Sequence, residues 1–262
     1  MPRFFCDAIA GGKAVITGED AAHIARSLRM QPGERLTLSD GQGTDFDCVL
    51  DLVTPQEVFL TVLESYPCRT EPSVYVRLYM AMPKAEKLEL IVQKAVELGV
   101  GEIIPVLTRR CVSRPDPKSF EKKRVRLARI AAEAAKQSGR GRIPQVREMM
   151  DLRPALEEMA ARPGAMLFYE RSTAPMREVL DRIEGEASLL IGAEGGFDES
   201  EVELALSMGI PSLTLGPRIL RCETAPMAAL SVLMYHTGAT EPKSDTLPYD
   251  RTAASRGLPG FL

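Results

Sequence analysis

The sequence predicts an α/β protein, in which a small all-strand unit precedes a parallel sheet covered by helices on both faces. Three observations carry this prediction. Residues 1–68 break into short apolar runs separated by Gly, Pro and Asp turns. From residue 74 onward, runs of strand length alternate with longer segments of helical period. Between them, YPCRTEPS at residues 66–73 is Pro-rich and poor in apolar side chains, as a connection is. The expected organisation is a strand-rich unit at 1–68, a linker at 69–73, an α/β domain at 74–240 and a tail at 241–262.

The first unit reads as strands RFFCDAI, KAVIT, RLTLSDG, TDFDCVLDLV and EVFLTVLES, enough for a small barrel. Its one helix is EDAAHIARSLRM, residues 19–30. Ile24 and Leu28, four apart, should share an apolar face, and Arg26 and Arg29 another. QPGE then stops the helix. The second unit alternates strand VYVRLYMAM, helix KAEKLELIVQKAVELG, strand EIIPVLT and a long basic helix at 118–137. Helix DLRPALEEMAA, strand GAMLFYE, helix APMREVLDRI and strand ASLLIG follow, then helix ESEVELALSMG, strand PSLTLG and a last helix over 225–236. A βαβ series of this kind implies parallel strands buried on both faces. EPKSDTLPYDRTAASRGLPGFL shows no period and reads as a tail.

Composition narrows the function. No apolar run reaches 18 residues, so no membrane span is expected, and the amino terminus lacks a long h-region and reads as mature protein. Five scattered cysteines without a CxxC pair support neither a zinc knuckle nor a disulfide framework, and fit reduced thiols of a cytoplasmic protein. Two histidines, His23 and His236, exclude a multi-histidine metal site, and no metal is expected. The net charge of −3 conceals an asymmetry: residues 109–147 hold thirteen Lys or Arg against three Asp or Glu. Such a field is either a solvated helix surface or a polyanion site. Arg109, Arg110 and Arg129 are candidate RNA contacts within it.

Two late loops carry the chemistry. SLLIGAEGGFDESEVELAL ends a buried strand and starts a helix, with Asp198 as N-cap and Glu201 as its capping-box partner. One glycine would serve such a turn; Gly192, Gly195 and Gly196 exceed that need and allow close approach of a ligand. The spacing is neither GxGxxG nor a Walker loop, and Glu194 would repel phosphate. LGPRILRCETAPMAAL follows the next strand. Both loops leave carboxyl ends of parallel strands, where open sheets bind ligands, and the two strands are candidate neighbours. Backbone of these loops can read an adenine edge while Ile219 and Leu220 pack on its face. Cys222 lies between Arg221 and Glu223 with no histidine near, and reads as a bystander thiol.

KLELIVQKAVELGVGEIIPV, AAEAAKQSGRGRIPQV, LLIGAEGGF and LTLGPRILRCETAPMAAL resemble the bacterial 16S ribosomal RNA uridine-N3 methyltransferases of the SPOUT class. MPRFF and HIARSLRMQPGERLTLSDGQG share the resemblance, which covers residues 2–238. It implies a PUA-like β-barrel for RNA binding, a SPOUT α/β domain with a deep trefoil knot, S-adenosyl-L-methionine as cofactor and a homodimer. The substrate would be 16S rRNA or the small ribosomal subunit. The resemblance puts Gly192, Glu194, Gly195 and Gly196 beside the cofactor. It puts Leu215, Gly216, Arg218, Ile219 and Leu220 around it, and closes the third side with Phe168 and Tyr169. Arg26 and Arg29 match arginines of RNA contact, and Gln137 and Arg140 a polar helix end facing the cleft. Departures are Ala193 for proline, Lys136 for glutamate, Cys222 for threonine and Ala22 for histidine.

Uridine N3 must lose its proton to become a nucleophile, so a base or a cation favouring the anion is required. Glu223 is the candidate base or orienter, and Arg221 the candidate for stabilising charge on a uracil oxygen. The alternative for this pair is a mutual salt bridge. Two other functions stay open: a SPOUT methyltransferase acting on another rRNA or tRNA site, and a non-catalytic RNA-binding ribosome-assembly protein.

Overall fold

The computed structural model describes residues 1–84 and 86–241, so all but the first residue of the expected tail lies outside it. The amino-terminal sheet contains β1 (Arg3–Phe5), β2 (Ile9–Ala10), β3 (Lys13–Thr17), β4 (Arg35–Ser39), β5 (Thr44–Val53) and β6 (Glu57–Pro67). Their order is β1-β4-β5-β6-β3-β2, antiparallel except for the parallel pair β1–β4. The two edge strands β1 and β2 are joined by only residues 6–8. So short a chain cannot span a flat six-stranded sheet, and the sheet curls until its edges nearly meet. Phe4, Ile16, Leu36, Leu38, Leu50 and Leu60 fill the interior.

The helical segment after β3 departs from expectation. α1 (Gly18–Ala22) passes into a π-helical turn over His23–Ser27. The Leu28 N–H bonds the carbonyl of His23, five residues back, and the Met30 N–H that of Ile24. The widened turn rotates the residues beyond it. Ile24 is fully buried, whereas Leu28 is 40% exposed, so the two do not share an apolar face. Arg29 ends the segment in the left-handed region at φ 52°, and both Arg26 and Arg29 are exposed.

The second sheet is wholly parallel. It comprises β7 (Tyr75–Ala81), β8 (Glu102–Leu107), β9 (Gln145–Val146), β10 (Met150–Asp151), β11 (Ala165–Phe168), β12 (Glu186–Ile191) and β13 (Ser212–Leu213). The order is β10-β8-β7-β12-β11-β13, with β9 also against β8. The helices are α2 (Lys87–Glu97), α3 (Pro117–Gln137), α4 (Leu152–Ala160), α5 (Arg177–Leu180), α6 (Glu199–Ser207) and α7 (Thr224–His236). Alternate strand residues face opposite layers. Leu78, Met80, Met166, Phe168, Leu189 and Ile191 pack with α2, α3 and α7. Tyr79, Leu167, Tyr169 and Leu190 pack with α4 and α6. Two elements are shorter than their sequence pattern. α5 is a single turn, and its follow-on residues reach Gly185, which is left-handed at φ 73°. β13 has a strand on one side only, and Gly216 at φ 108° bends the chain away.

The expected linker is a fixed joint. The Glu71 carboxylate accepts hydrogen bonds from Arg140 Nη2 at 2.8 Å, Arg140 Nε at 3.2 Å, and the Gly141 and Arg142 amides at 2.9 and 3.1 Å. The Gly43 amide bonds Gly141 O at 2.9 Å, and Lys136 pairs with Asp20 and lies over the Phe4 ring. Any Cβ at Gly141 would overlap Cys68, so this close approach requires glycine. The joint also corrects one expectation. Arg140 is only 4% exposed and donates to the carbonyls of Val96 and Val100, so it is a buried strut and not an RNA contact.

Candidate active site

The carboxyl ends of β11, β12 and β13 open onto a cleft of about 830 Å³. Its walls are the two loops singled out in the sequence, residues 192–197 and 214–222. The strands feeding those loops are not neighbours: β11 lies between β12 and β13. Phe168 and Tyr169, which leave β11, therefore occupy the middle of the site, and the two loops stand to either side. Every candidate cofactor residue lines this cleft, from Gly192, Glu194, Gly195 and Gly196 to Leu215, Gly216, Arg218, Ile219 and Leu220. Arg221 lines it as well.

The glycines have a cause that sequence reasoning did not supply. A Cβ on Gly192 would stand 3.2 Å from the Cα of Gly196, and one on Gly195 would stand 3.0 Å from the Cβ of Arg110. Gly196 is left-handed at φ 64°, and its Cβ would meet the Glu170 carboxylate at 3.0 Å. The loop thus folds back on itself and against its neighbours, so that a side chain at Gly192 or Gly195 would crowd them and one at Gly196 would also be strained at its positive φ. The capping box is present: Asp198 accepts from the Ser200 amide, and the Glu201 carboxylate accepts from the Asp198 amide at 2.9 Å. Glu201 also accepts from the Arg109 amide at 2.7 Å, while Arg109 Nη1 donates to Ser200 Oγ at 2.6 Å. Arg110 Nη1 donates to Gly195 O at 3.2 Å. Arg110 therefore braces the glycine loop and Arg109 the start of the helix that follows it, while both stay exposed.

Lys87, the first residue of α2, also lines the cleft and was not singled out in the sequence. Its spacing is that of any solvated lysine on an amphipathic helix; only the tertiary fold aims it at two distant carboxylates. Its Nζ lies 3.1 Å from Glu194 Oε1 and 3.1 Å from Glu223 Oε2. These carboxylates raise the Lys87 pKa and keep it charged. The lysine takes the place expected of Arg221: among the described residues Arg221 and Arg218 form no ion pair.

Partial burial of Glu194 opposes its ionisation, but its own amide, Lys87 and the Lys84 amide outweigh this and lower its pKa. Glu223 is held low by its own amide, by the Cys222 thiol that donates to it at 3.2 Å, and by Lys87. Both are ionised at neutral pH. Burial, and then the Glu223 carboxylate, push the Cys222 thiol up to about 12, which leaves it protonated and unreactive.

Of the candidate RNA residues other than Arg140, Arg26 and Arg29 are exposed on the amino-terminal unit, and Arg129 and Gln137 on α3. Among the described residues no group of three His, Cys, Asp or Glu could hold a metal, and no helix is long and apolar enough to cross a membrane.

Residues 70–234 match the RNA methyltransferase domain, and residues 16–63 match the RNA methyltransferase PUA domain. The chain belongs to this RNA methyltransferase family. It is 36% identical over 229 residues to ribosomal RNA small subunit methyltransferase E of Bacillus subtilis, covering 85% of this chain and 90% of that protein. The like-named protein of Mycobacterium tuberculosis is 30% identical over 238 residues, covering 88% and 90%. Among solved structures, a Legionella pneumophila methyltransferase in complex with S-adenosylmethionine superposes with a TM-score of 0.77 at 31% identity, covering 89% of this chain and 96% of that one. Ribosomal RNA small subunit methyltransferase E of Neisseria gonorrhoeae, bound to S-adenosylmethionine, gives 0.79 at 28% identity, covering 90% and 97%.

Proposed function

We propose that this protein uses S-adenosylmethionine to methylate N3 of a specific uridine in the 16S rRNA of the small ribosomal subunit. The observation that carries this reading is the cleft between residues 192–197 and 214–222, with Phe168 between them. A protein that only bound RNA would have no use for it. Its size is that of a small-molecule site. Ile191, Leu215 and Leu220 offer apolar surface for an adenine, and the amides of Arg218, Ile219 and Leu220 have no hydrogen-bond partner among the described residues. Glu194 in the lining and Glu223 beside it share a single ammonium, Lys87, and so leave one negative charge there for a cation, while Arg218 and Arg221 stand elsewhere in the lining. The residues present therefore fit a sulfonium nucleoside.

When bound, S-adenosylmethionine supplies an electrophilic methyl group. The chain's own task is to align uridine N3 with it and to help N3 shed its proton. Arg221, exposed at the cleft and free of an ion pair among the described residues, is suited to stabilise negative charge on a uracil oxygen. Glu223 is better suited to orient the base than to take its proton, because a carboxylate held by an ammonium is a weak base. Arg26, Arg29, Arg129 and Gln137 would position the RNA, and Arg109 and Arg110 would add to that field while bracing the start of α6 and the glycine loop respectively. Residues 1–68 are read as the PUA-like barrel, 69–73 as the joint and 74–240 as the SPOUT domain. A deep trefoil knot and a homodimer are inferred from the resemblance, and cytoplasmic residence from the five scattered, unpaired cysteines.

The test is mass mapping of methylated nucleosides in rRNA after incubation with the protein and S-adenosylmethionine. The expected product is a single N3-methyluridine in 16S rRNA. Methylation at another position or in tRNA would favour a different SPOUT specificity. Absence of any methyl transfer, with RNA binding intact, would sink the enzymatic reading.

A further inference from the structure

Lys87 ties together three segments at the cleft that are far apart in sequence, two of which, its own and that of Glu194, line it with their charged side chains. Glu194 comes from the loop after β12, Glu223 stands at the start of α7, and Lys87 itself opens α2. Both carboxylates lie 3.1 Å from one ammonium nitrogen, which is therefore the shared counter-ion of two negative groups. Glu194 is further fixed by the Lys84 amide at 3.2 Å, so the strand-to-helix connection before α2 holds the glycine loop by side chain and backbone together. The cluster carries two negative charges and one positive, a net of −1 at neutral pH. Lys87 and Glu194 both line the cleft.

We propose that Lys87 is a positioning and specificity-determining residue, which sets the charge of the Glu194–Glu223 cluster at one side of the cleft and thereby the preference between cationic methyl donor and uncharged product. This rests on the reading of the cleft as an S-adenosylmethionine site. Methyl transfer moves the methyl from sulfur to the RNA, and the sulfonium becomes a neutral thioether as its bonding pair returns to sulfur. Donor and product, S-adenosylmethionine and S-adenosylhomocysteine, then differ by one methyl group and one unit of charge. A cluster at −1 favours the cation modestly and lets the neutral product leave. Without the ammonium the cluster stands at −2: the donor gains relative to the product, and the two carboxylates, no longer bridged, repel one another.

The experiment compares calorimetric affinities of the full-length protein for S-adenosylmethionine and S-adenosylhomocysteine at pH 7.5. Lys87→Met is expected to shift the ratio of the two dissociation constants toward the donor by about tenfold, the order of effect of one unit charge in a solvent-accessible cleft. Lys87→Arg should restore the wild-type ratio. Lys87→Met combined with Glu223→Gln, which returns the cluster to −1, should restore it as well. Equal weakening of both ligands in Lys87→Met, with no change of ratio, would overturn the proposal and leave a structural brace. A wild-type protein that bound neither ligand would overturn the cofactor reading itself, a result distinct from either.

Discussion

Glu223 and Cys222 are adjacent in the chain, yet the fold gives them opposite chemistry. Glu223 is held ionised by its own amide, the Cys222 thiol and Lys87. Glu223→Gln should therefore lower single-turnover methylation by roughly 10²-fold, the scale of a lost orienting or proton-handling group. S-adenosylmethionine affinity should stay within about tenfold, since one charge of the cluster is lost. Full turnover in a single-turnover rRNA assay would remove Glu223 from the reaction. The thiol responds to pH in the other direction. Cys222 is pushed to about 12, and Cys48 to about 11, first by burial and then by the neighbouring carboxylates of Glu223 and Asp47 respectively. Each folded value lies above the ordinary thiol value of 9.0, so each cysteine keeps its proton longer in the folded state than in the unfolded one. Their stability contribution is complete below pH 9 and is lost as pH rises from there toward 11 and 12. Each adds a slope approaching about 1.4 kcal/mol per pH unit in that window. Thermal melts from pH 8 to 11 should show Tm falling, and Cys222→Ala should flatten the fall; parallel curves for the two proteins would refute it.

At the scale of elements, the start of α6 joins the fold to the cleft. Asp198 caps the helix, accepts from Ser200, and lies within 3.4 and 3.7 Å of Arg109 and Arg110, the second of which also holds the glycine loop through Gly195 O. Asp198→Ala should cost about 1–2 kcal/mol in urea unfolding, the upper range for a lost cap, because the arginines lose a partner too. A cost below a few tenths of a kcal/mol would mean that Glu201 alone holds the turn. This cap was legible in the sequence because capping is local: Asp198 and Glu201 are three residues apart. The strands and helices of the parallel sheet were legible for the same reason, as runs of one period between turn residues. What was not legible depends on contacts across the chain. The π-turn that exposes Leu28 has no periodic signature. The insertion of β11 between β12 and β13 is a matter of sheet order, which local patterns leave open. Arg140 is matched by resemblance to a polar helix end facing the cleft, and its true partner, Glu71, is hidden from local reading because it lies 69 residues away. Lys87 was passed over on the same ground, its two carboxylates lying more than a hundred residues beyond it. The glycine-rich loop was found, although its glycines serve close packing within the protein as well as any ligand.

For the whole molecule, the relation between the two sheets matters most, because an RNA held as proposed by Arg26 and Arg29 would have to present its base to a cleft built by the other unit. Arg26→Glu with Arg29→Glu should weaken rRNA binding and flatten its salt dependence, while S-adenosylmethionine affinity stays unchanged. Unaltered rRNA affinity in a filter-binding titration would exclude those two arginines. The joint makes a different prediction. Glu71 and Arg140 are nearly buried, and Glu71 also receives the amides of Gly141 and Arg142, so the carboxylate fastens the segment between the sheets to the loop after α3. Removing one partner of a buried pair leaves the other uncompensated, and Glu71→Ala should cost about 3–5 kcal/mol. Glu71→Leu combined with Arg140→Met should cost less than Glu71→Ala alone, because no buried charge is stranded. If the joint also sets the angle between barrel and cleft, the double variant will keep its S-adenosylmethionine affinity, since neither residue touches the cleft. Its rRNA methylation should still fall by about tenfold or more, as expected when reacting groups are misplaced from a distance. Methylation at the wild-type rate in a stably folded double variant would show that RNA itself, and not the joint, brings the two units into register.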